Sequence, residues 1–372
     1  MAVLFAAFPP VSKARAETEQ KDLAVRLEQA IARGVAYLVE TQKKDGSWGS
    51  PATNLSDIYA PVPGSQQTFQ VASAALAVSA LIEVGGDSEE VAATIERARE
   101  FLLKRHAVKR IRANTLYNVW ANLYALEAFS RFLDRETDPE LRARLRTASR
   151  EAIELLQRFE FVEGGWGYYN FGVQSRDPGP GATAFTTASG LVALKMIENQ
   201  GLEVPHKLIR RGLGVLELSE RPDNAFAYSV SHRFNATGGI NQVKGSLART
   251  PACLLAMDDW TPDLDPRRMH KALTDLERYG RFLRIARKYP IPHETWYQNS
   301  GYFCFYGYYY AGLLLERLPE EQRHDYQRQI AGHLVPLQEQ DGSFWDYQLF
   351  NYHKVYGTGY VLMTLGRCRG GF

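Results

Sequence analysis

Thr41-Gln42-Lys43-Lys44-Asp45-Gly46-Ser47-Trp48-Gly49 decides the fold, because the chain repeats it. An amphipathic segment runs into a Gln- or Glu-rich turn, then Asp-Gly or Gly-Gly, then an aromatic residue. The phrase returns as Val162-Glu163-Gly164-Gly165-Trp166-Gly167. It returns again as Gln338-Glu339-Gln340-Asp341-Gly342-Ser343-Phe344-Trp345. Glycine at this place suits a helix end followed by a tight turn with positive φ. The aromatic can then fold back over the helix it follows.

Outward from each copy lies a stretch rich in Ala, Gly, Ser and Thr and apolar nearly all round: Gln67–Glu83, Tyr117–Leu133, Thr183–Ile197, Gly245–Met257, Ser300–Leu318 and Tyr356–Leu365. A helix apolar on every side has to be covered on every side. Between these run charge-bearing segments with one apolar stripe: 22–42, 89–105, 140–159, 205–219, 266–288 and 320–340. Asp138-Pro139 and Asp265-Pro266 are N-cap and first-turn starts for two of them. The alternation predicts an all-α fold: an (α/α)6 barrel, or toroid, with six inner and six outer helices in one domain over residues 17–372. The long connections 43–66, 160–182, 219–244 and 341–355 should gather on the rim that carries the N-terminal ends of the inner helices. Long loops on a rigid scaffold are where function usually sits.

Residues 1–16 differ from the rest. Ala2 to Phe8 is apolar, and Ala14-Arg15-Ala16 is an A-x-A-like site before Glu17. Together they resemble the end of a signal peptide, so export is expected. No stretch has about 18 uninterrupted apolar residues, so no transmembrane segment is expected. Of the 372 residues, 45% are hydrophobic and 23% charged, with 44 Lys and Arg against 42 Asp and Glu. A net charge of +2 gives no reason to expect nucleic acid. Cys253, Cys304 and Cys368 are too few and too widely spaced for a disulfide framework or a zinc site. No nucleotide-binding or metal-binding motif is present, so no cofactor and no metal are expected.

The Gln-x-x-Asp-Gly-Ser-Trp phrase followed by a small-residue helix resembles the repeat of the terpenoid cyclase and protein prenyltransferase superfamily, over about residues 22 to 367. The resemblance implies the α/α toroid and an isoprenoid-type substrate. The functional residues carry over badly. Squalene–hopene cyclases are known by an Asp-x-Asp-Asp acid, and no such run exists. Met257-Asp258-Asp259-Trp260 comes closest, but it ends an inner helix roughly 20 Å long, so it belongs at the opposite rim. The segments resembling the prenyltransferase zinc ligands read Asn299-Ser300-Gly301 and Tyr356-Gly357-Thr358-Gly359, without the ligands.

The remaining chemistry is expected on the rim and in the lumen. Tyr302, Phe305, Tyr306 and Tyr309 share a helix face by their spacing, which makes an aromatic wall. Such walls stabilise carbocations or stack on sugar rings. The acid–base candidates are Asp177, His232, His293 and Asp346, with Glu294 and His353 also titratable on the expected rim. The substrate-binding candidates are Trp166, Tyr168, Tyr228, Arg233, Trp296, Tyr302, Tyr306, Tyr309 and Tyr356. Two readings stay open. One is a protein that binds or converts an isoprenoid, that is, a small-molecule or lipid substrate. The other is an exported glycan-active or glycan-binding α/α barrel. A greasy, enclosed lumen favours the first, and an open polar cleft favours the second. Oligomeric state is not legible.

Overall fold

The computed structural model describes residues 13–52, 63–109, 117–168, 181–235, 237–261 and 264–372. Six helices form the inner ring: α2 (Pro63–Val84), α4 (Val119–Arg135), α6 (Ala184–Glu198), α9 (Arg249–Trp260), α12 (Phe303–Leu315) and α14 (His353–Cys368). Each packs on the next, and α14 packs back on α2, which closes the ring. The outer layer is α1 (Lys13–Thr41), α3 (Glu89–Arg105), α5 (Pro139–Arg158), α7 (His206–Ser219), α10 (Pro266–Tyr279) and α13 (Glu320–Leu334). The expected toroid of six inner and six outer helices is the observed architecture. The core is continuous around the ring, and α12 is buried along its entire length. By length and composition α2 could cross a bilayer, but most of it is buried inside the barrel.

Two expected segments are interrupted. The fourth inner stretch is split into α8 (Val243–Ser246) and α9, and the fifth outer stretch breaks at Gly280 into α10 and α11 (Arg281–Ala286). At Gly280 a Cβ would meet the Leu276 carbonyl oxygen at 2.4 Å and the Arg284 guanidinium at 2.9 Å. The Ala2–Phe8 run lies outside the described residues, and α1 already includes Ala14-Arg15-Ala16.

The repeated phrase builds one device. In the first copy Gly46 takes φ +84°, its N–H donates to the Lys43 carbonyl, and Asp45 accepts from the amide and hydroxyl of Ser47 at 3.0 and 2.7 Å. The third copy repeats this with Gly342 at φ +83° and Asp341 accepting from Ser343 at 3.1 and 2.6 Å. A Cβ on Gly46 would lie 2.1 Å from the Arg97 carbonyl oxygen, so only glycine fits there. The indole N–H of Trp48 donates to the Leu38 carbonyl and that of Trp166 to the Leu156 carbonyl, both at 2.8 Å. Each aromatic therefore closes the end of the outer helix ten residues behind it.

A fourth copy escaped the sequence reading. In Arg221-Pro222-Asp223-Asn224-Ala225-Phe226 the turn residue is Asn224 at φ 72°, and Asp223 accepts from the Ala225 amide at 3.2 Å. Asn tolerates the left-handed region, so the turn survives without glycine. In three copies the aromatic's backbone N–H donates to a hydroxyl on the next inner helix or its lead-in: Trp166 to Thr187, Phe226 to Ser246 and Phe344 to Thr358. Replacing Trp166 with Phe should strand the Leu156 carbonyl and lower stability by about 1 kcal/mol, read by urea unfolding. Ligand affinity should not change.

Candidate functional site

The lumen opens between the N-terminal ends of the inner helices. Phe69, Ala72, Ser73 and Leu76 from α2 line it, with Trp120 and Tyr124 from α4 and Phe185 from α6. Phe303 and Tyr306 come from α12, Tyr356 and Tyr360 from α14, and Tyr117, Tyr168, Tyr302, Tyr347 and Leu349 from the connecting loops. None of these side chains is charged and none is an amide. The cavity volume is about 110 Å³. A ligand larger than a few water molecules must therefore reach into the mouth or displace side chains.

Phe185 is the hub of the wall. Its ring lies 5.1 to 6.2 Å from those of Trp120, Tyr168, Tyr228, Phe303 and Tyr306, mostly tilted or edge-on, with Trp120 stacked. Such offset and T-shaped contacts are the favoured aromatic geometries.

Two of the expected titratable residues stand directly behind the wall. His293 Nδ1 lies 2.8 Å from the Gln298 carbonyl oxygen, which can only accept, so Nδ1 carries the proton. Nε2 then accepts from the Tyr302 hydroxyl at 3.1 Å, so a donor on the lumen wall meets a neutral imidazole. Burial, with Arg249 and His232 nearby, holds His293 below the usual histidine range. Its loop is strained: His293, Tyr297 and Gln298 take φ of 65°, 59° and 55°. Arg249 is buried behind Tyr228 and Phe303 and donates to the carbonyls of Gly245, Phe226 and Ile240. Burial lowers its pKa to about 10.

Asp346 is fully buried one bond further back. It accepts from the Phe305 amide at 2.9 Å, at the start of α12, and from the Tyr356 hydroxyl at 2.8 Å. It reaches the lumen through Tyr356. Burial pushes its carboxyl up to about 6 from 3.8. A raised folded pKa favours the protonated form, so stability falls as pH climbs from about 4 to about 6. The loss is up to roughly 3 kcal/mol. Asp346→Asn should flatten that slope in melts taken across this pH window.

The structure brings Tyr168, Tyr302, Tyr306 and Tyr356 to the lumen, with Tyr228 packed behind them. Other expected residues lie elsewhere. Asp177, together with Tyr169, Asn170, Gln174 and Arg176, lies outside the described residues. Trp166 is fully buried beneath the turn that it closes, so it touches no lumen. Trp296 is 73% exposed on the outer side of its loop, and Arg233 stacks on the exposed Phe234 ring. His232 is held by Ser229 at 2.8 Å and packs on Tyr228 from the far side. Tyr309 lies below the cavity and donates to Glu127. Phe305 packs on Phe344, because the lumen face of α12 is set by Phe303 and Tyr306. Asp258 and Asp259 pair with Arg317 at the C-terminal end of α9, on the opposite rim. Cys253, Cys304 and Cys368 are buried free thiols. Among the described residues no cluster of His, Cys, Asp or Glu has the geometry to hold a metal.

Sequence reasoning missed Trp120, Tyr124, Glu127 and Arg131. They recur at i, i+4, i+7 and i+11 on α4, which places them on one helix face.

No protein-family model matches the chain. Solved structures do. A type II terpene cyclase from Scytonema, in complex with geranylgeranyl dihydroxybenzoate, is similar at 14% identity and a TM-score of 0.54, over 95% of this chain and 99% of that one. A cellobiose 2-epimerase from Spirochaeta thermophila is similar at 13% identity and a TM-score of 0.60, over 97% and 99%. An α-1,6-mannanase from Salegentibacter is similar at 10% identity and a TM-score of 0.57, over 94% and 98%. At such identities the likeness is one of fold: the chain is an α/α toroid, the architecture that a terpene cyclase, a sugar epimerase and a mannanase share.

Proposed function

We propose that the protein binds an isoprenoid-type chain in its lumen and acts on it there. One observation carries the reading: the cavity is walled by aromatic and aliphatic side chains from five inner helices, with no charged or amide group among them. Apolar chains gain from leaving water in such a site. Ring faces also stabilise positive charge developing on carbon. A sugar-binding cleft needs convergent polar groups to replace the hydration of hydroxyls, and among the described residues this lining supplies tyrosine hydroxyls, Ser73 and the Trp120 indole N–H. The terpene cyclase likeness supports the reading at the level of fold, which hosts other chemistries as well.

A thermal-shift comparison tests it, with all-trans-geranylgeraniol and squalene set against cellobiose and mannotriose. The polyprenyl compounds should raise the melting temperature and the sugars should leave it unchanged. Stabilisation by the sugars alone would reverse the reading, and stabilisation by neither would remove it.

A further inference from the structure

Each hydroxyl in the lumen wall carries one proton, and the acceptors can be followed. Toward the mouth, three of these protons are spent inside the protein. Tyr302 donates to His293 at 3.1 Å, Tyr347 to the Pro290 carbonyl at 3.2 Å and Tyr356 to Asp346 at 2.8 Å. Further in, Tyr306 and Ser189 both donate to the Phe185 carbonyl at 3.0 Å, which uses both lone pairs of that oxygen.

Tyr124 and Tyr360 differ. Each lies one helical turn deeper than a neighbour on its own helix, Trp120 on α4 and Tyr356 on α14, and all four line the cavity. The two deep hydroxyls bond each other. Two hydroxyls hold two protons, and that bond uses one of them. Among the described residues no carbonyl or carboxylate accepts the second proton. A hydrocarbon sealing this floor from water would leave the second proton without a strong acceptor, which is costly.

The floor also excludes charge. One turn further down α4 lies Glu127, to which the Tyr309 and Tyr310 hydroxyls donate at 2.6 and 3.5 Å. Arg131 beside it is already paired with Glu83 at 2.7 Å. An anionic head pushed to the floor would approach a carboxyl and find no unpaired cation. The cavity is about 110 Å³, so a long ligand places one end at the floor and the rest in the mouth.

We propose that the floor of the lumen recognises a neutral hydroxyl, so that the ligand is an isoprenoid alcohol bound head-down between Tyr124 and Tyr360. This rests on the reading of the lumen as an isoprenoid site. The alcohol oxygen accepts the second phenol proton, and its own proton goes to the other phenol oxygen. Three hydroxyls then close a ring in which every proton has an acceptor. The chain runs upward past the stacked rings of Trp120 and Phe185 to the mouth. A methyl ether of the same chain brings no proton to the ring and adds a methyl group where the floor is tight.

Fluorescence titrations of the full chain test this. Wild type should bind geranylgeraniol at least about tenfold more tightly than geranylgeranyl methyl ether or geranylgeranyl diphosphate. The double variant Tyr124→Phe, Tyr360→Phe should lose the preference for alcohol over ether while keeping its affinity for squalene, which also shows that it folds. A geranylgeraniol analogue with a diazirine at its tail end should, on irradiation, label Tyr302, Tyr347 or Leu349 in wild type. Labelling of Tyr124 or Tyr360 means that the chain enters tail-first and overturns the proposal. Wild type that binds the ether as well as the alcohol, or the diphosphate more tightly, overturns it too, as does a double variant that keeps the full preference. These outcomes leave the lumen reading standing. Geranylgeraniol and squalene that both fail to bind overturn that reading and the proposal with it.

Discussion

Replacing Arg131 with Met should destabilise the fold by about 3–5 kcal/mol. Arg131 is 7% exposed and is the ion-pair partner of Glu127 and Glu83. Met preserves most of the volume, so the cost is that of two carboxyls losing a counter-charge in a place water reaches poorly. The sign with pH follows. Burial already raises Glu127, whereas Arg131 and Arg367 hold Glu83 down against its own burial. Without Arg131 both folded pKa values move up. Acids with raised folded values cost stability above the unfolded value of about 4.3. The Arg131→Met deficit should therefore be small near pH 4.5 and large near pH 7.5. Adding Glu127→Gln to the same chain should recover part of it. Urea titrations at the two pH values measure both effects, and a pH-independent deficit would mean that packing, not charge, is what Arg131 supplies.

Phe185→Ala should cost a further about 3–5 kcal/mol, because that ring touches five others in the lumen wall. The loss has two parts, the transfer of the ring out of the core and the cavity it leaves. The second part is recoverable. A chain that fills the enlarged lumen restores the missing contacts, and it stabilises the folded state by mass action. Squalene should thus raise the melting temperature of Phe185→Ala more than that of the wild type. If squalene shifts the two proteins equally, the chain does not sit against Phe185.

The toroid was legible because its instructions are local and repeated. A helix without a polar face and a Gly-Trp turn each have one physical solution, and six alternations leave one closed arrangement. The fourth turn hid because Asn224 does the work of glycine. The site was legible where aromatic residues crowd one helix, as at Tyr302 and Tyr306, and at Tyr168 and Tyr356. Tyr124 and Glu127 stand alone in an apolar stretch, and only the ring of neighbours from α12 and α14 turns them into a connected group. Two tryptophans misled for the opposite reason. Trp296 and Trp166 look alike in sequence, but one stacks at the surface and the other seals a helix end.

The packing of α14 on α2 has a consequence for how the molecule assembles. In an open array of helix pairs the first and last units each leave a face bare, and a specialised polar cap has to cover it. Here each of those faces covers the other, and the sutures are specific: Arg33 reaches the carbonyls of Glu339 and Gln340, and Arg369 reaches Glu28. These contacts join residues more than 300 positions apart. Their loop-closure entropy must be met late, after the intervening pairs have formed. The ring therefore cannot be shortened one pair at a time, as a solenoid can. Removing any pair leaves two apolar edges that no longer meet.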